Sequence, residues 1–185
     1  MQKNVMRNLA TLICITSLTL ACAVGPQDPE HSPYYKIPVA SSLVLHRDLS
    51  IPANQAAVFI QNGEVKNFKD IDKYYPYCKF EVRTIMQNNQ TIKADTFIIH
   101  RSTTDETIVQ KPQSVFRRVS MDDGGGGPSF IEMFRIMYLR SEQQPDVLRL
   151  SCGHRAISPN YDHLTVSEVR QALGKLMTLK APGQQ

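Results

Sequence analysis

Five histidines are the first side chains in this 185-residue chain that could do acid–base or metal chemistry: His31, His46, His100, His154 and His163. Three of them, His46, His100 and His154, are each followed by an arginine (Arg47, Arg101, Arg155). An adjacent guanidinium opposes the binding of a cation, which argues against a metal site there. His154, Asp162 and His163 form the one group that could act together, as the base and carboxylate of a hydrolase. Satisfied surface histidines are the plainer expectation, and no catalytic residue, metal or cofactor is assigned. The chain has no Ser-x-x-Lys, Gly-x-Ser-x-Gly, His-Glu-x-x-His, Cys-x-x-Cys or Gly-x-x-x-x-Gly-Lys motif. Gly124 to Gly127 follows two acids and lacks a Lys-Ser/Thr, so it reads as a connector and not as a phosphate loop.

Binding chemistry is better represented. Tyr74-Tyr75-Pro76-Tyr77 puts three phenols within four residues. Tyrosine offers a large apolar area with a polar tip, which suits a protein or glycan partner and suits packing at a sheet edge equally well. Arg117-Arg118 could meet an anionic surface such as lipid headgroups.

The N-terminus sets the context for these residues. Lys3 and Arg7 precede an apolar run from Leu9 to Leu20, with no acid before Cys22. A basic start and about a dozen apolar residues make an export signal, and the run is well short of the roughly 20 residues that span a bilayer. Leu18-Thr19-Leu20-Ala21-Cys22 resembles the lipobox of bacterial lipoproteins, although Thr19 stands where that motif most often has Leu. The resemblance covers only this segment. It implies that Cys22 is acylated and becomes the new N-terminus. Ala23 stands where an Asp would retain such a protein at the inner membrane, which implies the periplasmic side of the outer membrane. Ala21-Cys22-Ala23 also fits ordinary cleavage after Ala23, which would release a soluble protein.

Losing Lys3 and Arg7 with the signal lowers the formal charge from +4 to +2, so nucleic acid is a poor partner. The expected partners are the membrane, through the lipid, and a protein or envelope polymer. Of the four cysteines, Cys14 leaves with the signal and Cys22 takes the lipid. Cys78 shares parity with Phe80 and Val82, and Cys152 with Leu148 and Leu150. Both sulfurs should therefore point into a core, and in an oxidising compartment they are expected to pair as a disulfide.

The elements that position these residues read as an α+β domain, mostly antiparallel sheet that could curl barrel-like, with a C-terminal helix packed on it. Residues 1–21 are the signal and 22–42 a proline-rich tether, expected to be solvated, with Tyr34-Tyr35 able to dock onto the domain or its partner. Residues 43–180 are one domain and 181–185 a tail. Strands are expected at Leu43–His46, Ala56–Ile60, Val65–Phe68, Cys78–Met86, Thr91–His100, Val115–Val119 and Val147–Cys152. Phe130–Arg140 is apolar on both parities, which fits a strand buried on both faces or a buried helix, and its short link to Val147–Cys152 favours the strand of a hairpin. Asn62-Gly63 is expected to turn a hairpin, since both turn positions need positive φ. Thr165-Val-Ser-Glu168 is a capping box, and apolar residues from Val166 to Met177 at helical spacing extend the expected helix to Leu179.

Overall fold

The computed structural model describes residues 29–109, 130–157 and 161–183. The expectations that fall on the signal, on Cys22, on Val115–Val119 and on the glycine run lie outside these residues. Ten strands form among the described residues: β1 (Ser42–Leu45), β2 (Leu49–Ile51), β3 (Ala57–Gln61), β4 (Glu64–Lys66), β5 (Tyr77–Val82), β6 (Gln90–Ile92), β7 (Asp95–Val109), β8 (Phe130–Arg140), β9 (Val147–Ile157) and β10 (Met177–Lys180). Eight of them make one antiparallel sheet in the order β10-β1-β7-β8-β9-β5-β3-β4, while β2 and β6 pair separately. The sheet curls into a half-barrel, and one α-helix, α1 (Val166–Leu173), is found among the described residues.

Alternation within each strand decides which residues meet the core. Leu43 and Leu45, Val58 and Ile60, Phe80 and Val82, Phe97 and Ile99, and Met137 and Leu139 all belong to one buried cluster, as do Val166, Val169 and Leu173 of the helix. Phe80 and Phe97 meet edge to face at its centre, 5.8 Å between centroids. Cys78 and Cys152 face each other directly across β5 and β9, both fully buried, with their sulfurs at disulfide distance, 2.08 Å.

The hairpin turn forms at Asn62 (φ 54°) and Gly63 (φ 77°), with Gln61 paired to Glu64. The capping box also forms, with Thr165 Oγ1 accepting from the Glu168 N–H and Glu168 Oε2 accepting from the Thr165 N–H.

Two readings need correction. The helix does not reach Leu179. It stops at Gly174, in a positive-φ conformation, and the chain continues as β10 beside β1. Leu176 and Met177 fit the helical period, but Met177 and Leu179 also fit a strand, and pairing with β1 satisfies their backbone. The second correction concerns the solvated tether. From Pro29 the chain lies against the domain, with Ile37 and Ser41 buried and the Ala40 N–H bonded to the Ile99 carbonyl at 2.9 Å. Ile37 is apolar enough to take up a place in the core cluster.

Candidate functional site

The sheet has a second face, turned away from the core, and β8 shows how the sequence builds it. Met133, Arg135, Met137 and Leu139 are buried, whereas Phe130, Glu132, Phe134, Ile136 and Tyr138 alternate with them and remain half-buried. Antiparallel register lines these up with odd-numbered residues of β9 and β5. Phe134 pairs with Gly153 and Gly153 with Tyr77, while Glu132 pairs with Arg155.

Gly153 is what allows the rings to close. A Cβ there would stand 2.5 Å from Phe134 Cδ1, so the ring lies directly across the glycine. Phe134 meets Tyr77 edge-on, 6.0 Å between centroids at 88°. Phe59, facing Lys79 across β3 and β5, stacks at 4.9 Å on Phe68 from the turn after β4. Phe59, Phe68, Tyr77, Phe134, Lys79 and Glu132 together line an open cleft of about 460 Å³. A larger one of about 790 Å³ shares Phe59 and Phe68 and continues around the sheet edge past Val65, Lys66 and Lys69.

The charges on this face are paired around the rings. Glu132 accepts from Arg155 at 2.7 Å and from Lys73 at 3.4 Å. Lys73 also sits 4.3 Å above the Phe68 ring, and Arg155 lies 5.8 Å from the Tyr74 ring centroid, both within cation–π range. Glu81 accepts from Lys79 at 2.7 Å and from Arg149 at 2.6 Å. Burial pushes the Glu81 carboxyl up, but hydrogen bonds from Arg149 and Lys79 outweigh it and hold the group below its ordinary range. The Gln61 side chain braces the approach to β5, donating to the Asp72 carbonyl at 2.8 Å and accepting from the Asp72 N–H at 3.1 Å. The segment bearing Tyr74 and Tyr75 is therefore fixed in place.

The tyrosine cluster divides. Tyr74 is 49% exposed and Tyr75 63% exposed, and both remain candidate contact residues. Tyr77 is 2% exposed: β5 alternation places it on the aromatic face, where it packs edge-on against Phe134 in the wall of the cleft and offers little surface of its own. Burial, followed by the nearby Glu132 charge, raises its phenol well above the ordinary tyrosine range.

His154 and His163 do come together, each within electrostatic range of Asp162, which is itself exposed. Burial is the main reason that both rings resist protonation. His154 also feels the charge of His163, and His163 that of Arg135. His163 Nε2 lies 3.4 Å from Glu106 of β7. The Nδ1 atom of each ring is buried with no hydrogen-bond partner among the described residues. The carboxylate contact of this pair is therefore that of His163 Nε2 with Glu106. Among the described residues no cluster of His, Cys, Asp and Glu has the geometry of a metal site.

No protein-family model, curated protein or solved structure matches the chain. The site therefore rests on its own chemistry.

Phe59, Phe68 and Phe134 escaped the sequence reading because they are 9 and 66 residues apart and only strand pairing brings them together. One signal was present, the same-parity run Phe130, Phe134, Ile136 and Tyr138 opposite Met133, Met137 and Leu139. A strand that is apolar on both parities has two faces to cover.

Proposed function

We propose that this chain is a lipid-anchored component of the bacterial envelope that binds a protein or envelope polymer and carries out no chemistry. The observation that carries this reading is the ring-lined cleft on the solvent face of the sheet. Half-buried aromatic rings flanked by paired Lys, Arg and Glu side chains supply apolar contact together with orienting polar groups, the composition of a recognition surface. Phe68 and Tyr74 are its exposed part, and the exposed Tyr75 follows Tyr74 in the same segment. Supporting the location are the lipobox-like Leu18–Cys22 segment, Ala23 after the cysteine, and a buried Cys78–Cys152 pair suited to an oxidising compartment.

Photocrosslinking in the native envelope tests the binding surface. A photoreactive residue at Phe68 or Tyr75 should give one discrete adduct, and the same residue at exposed Ile85 should give none. Identical adduct patterns from all three positions would refute the assignment of this face. Fractionation of Cys22→Ser tests the anchor, and the variant should leave the membrane fraction. Unchanged membrane association would rule out acylation at Cys22.

A further inference from the structure

Neighbouring residues of β8 point to opposite sides of the sheet. Phe134 belongs to the aromatic face, and Arg135 to the side that carries the helix. Arg135 is 3% exposed, and its donors go to backbone carbonyls: Nε to Leu164, Nη1 to Tyr35 at 2.6 Å, and Nη2 to Pro33. Glu168 adds attraction through space. Two of these three carbonyls belong to the segment from Pro29 to Ser41, hereafter the strap. The strap is fastened at both ends as well, and the Ala40 N–H also donates to the Ile99 carbonyl. Glu30 accepts from Arg170 of α1, and Ser41 accepts from the Ile99 N–H at 2.8 Å. Lifting the strap would strip a buried guanidinium of two acceptors, and an unsatisfied buried charge is among the costliest defects a fold can carry.

We propose that the strap is a rigid mount that leaves the domain on the helix side and turns the aromatic face away from the bilayer. The inference rests on the lipid-anchored reading above. Chain length gives it force. Six residues lie between Cys22 and Pro29, so with the strap docked the link reaches at most about 25 Å. A domain of this size has a radius of gyration of about 15 Å and a diameter near 40 Å. A link shorter than the domain cannot let the far face roll onto the membrane. With the strap released up to Ser42, the link would reach roughly 70 Å and any orientation would be open.

The test uses the full lipidated chain in vesicles of phosphatidylethanolamine and phosphatidylglycerol carrying an acceptor-labelled lipid. A donor fluorophore is introduced as a non-canonical residue at Ser167, exposed at the start of α1, or at Thr103, exposed on β7 and paired with Ile136 on the aromatic face. Transfer should be at least twofold stronger from Ser167. The difference should vanish in the double variant Arg135→Met, Arg170→Gln. Equal transfer from both positions in the unsubstituted protein overturns the proposal, and so does a difference that survives in a folded double variant. Arg170→Gln alone, which leaves the core untouched, covers the case in which the double variant does not fold.

A second measurement needs no lipid. Lys36 is exposed within the strap, and in soluble Cys22→Ser protein tryptic cleavage after it should be slow and become roughly tenfold faster in Arg170→Gln. Fast cleavage in the parent protein refutes the mount alone. Protection at Lys36 without membrane attachment refutes the envelope reading and the orientation with it.

Discussion

Replacing Gly153 with alanine should damage both the fold and the aromatic face, and the structure sets the size of the effect. The new Cβ would stand 2.2 Å from the Met133 carbonyl oxygen and 2.5 Å from Phe134 Cδ1. The ring is able to rotate away. The carbonyl is not, because Met133 pairs with His154 in the middle of the β8–β9 ladder. Real Cβ contacts essentially never fall below 3.0 Å, so about 0.8 Å of backbone displacement is forced into two central strands. Overpacking costs typically 1–3 kcal/mol, and a rigid obstacle places this case near 3 kcal/mol. With a urea m-value near 2 kcal/mol/M, the unfolding midpoint should fall by about 1.5 M with m unchanged. Adding Phe134→Ala should restore less than half of the loss, because the carbonyl still blocks. A midpoint within about 0.3 M of the parent protein, or full rescue by Phe134→Ala, would refute the reasoning.

Three further outcomes are expected. Reducing the Cys78–Cys152 bond, which closes a separation of 74 residues, should lower stability by about 4 kcal/mol in equilibrium unfolding with and without reductant, on the chain-entropy account. Thr165→Ala removes the acceptor for the Glu168 N–H and should cost about 1 kcal/mol in the same assay. Burial holds His154 and His163 below their ordinary protonation range, so the unfolded chain takes up protons first on acidification. Stability should therefore fall as pH drops through about 6.5, and the double variant His154→Gln, His163→Gln should flatten that slope in pH-dependent melts.

Local rules made part of the fold legible. The Cys78 strand, the Asn62-Gly63 turn and the Thr165–Glu168 box each depend on a few neighbouring residues, and all three are present, although the strand ends at Val82 and not at Met86. The helix overran because Val169, Leu173 and Met177 continue its period, while Gly174 and the waiting edge of β1 ended it. Thr91–His100 has the composition of one strand, but Lys93 and Ala94 divide it: their N–H groups go to the side chains of Gln144 and Asp48. β7 then runs on to Val109 through residues exposed on both sides, which period-2 alternation does not flag. The aromatic face was hidden for a different reason, since its rings meet only through the pairing of β3, β5, β8 and β9. Arg135 was the least legible of all. A single cation among Met133, Met137 and Leu139 gives no local sign that it will be satisfied by carbonyls 100 and 102 residues earlier.

The position of β1 bears on how the chain is completed. Its two neighbours, β7 and β10, both come later in sequence, and β10 is the last strand to be made. A chain synthesised from its N-terminus presents β1 first and must keep one of its edges open until Lys180 has emerged. Unpaired edges recruit other strands, so this interval is the most hazardous for aggregation. Met177–Lys180 closes that edge, and a nascent chain truncated before it would present the open flank of β1 to whatever strand it meets.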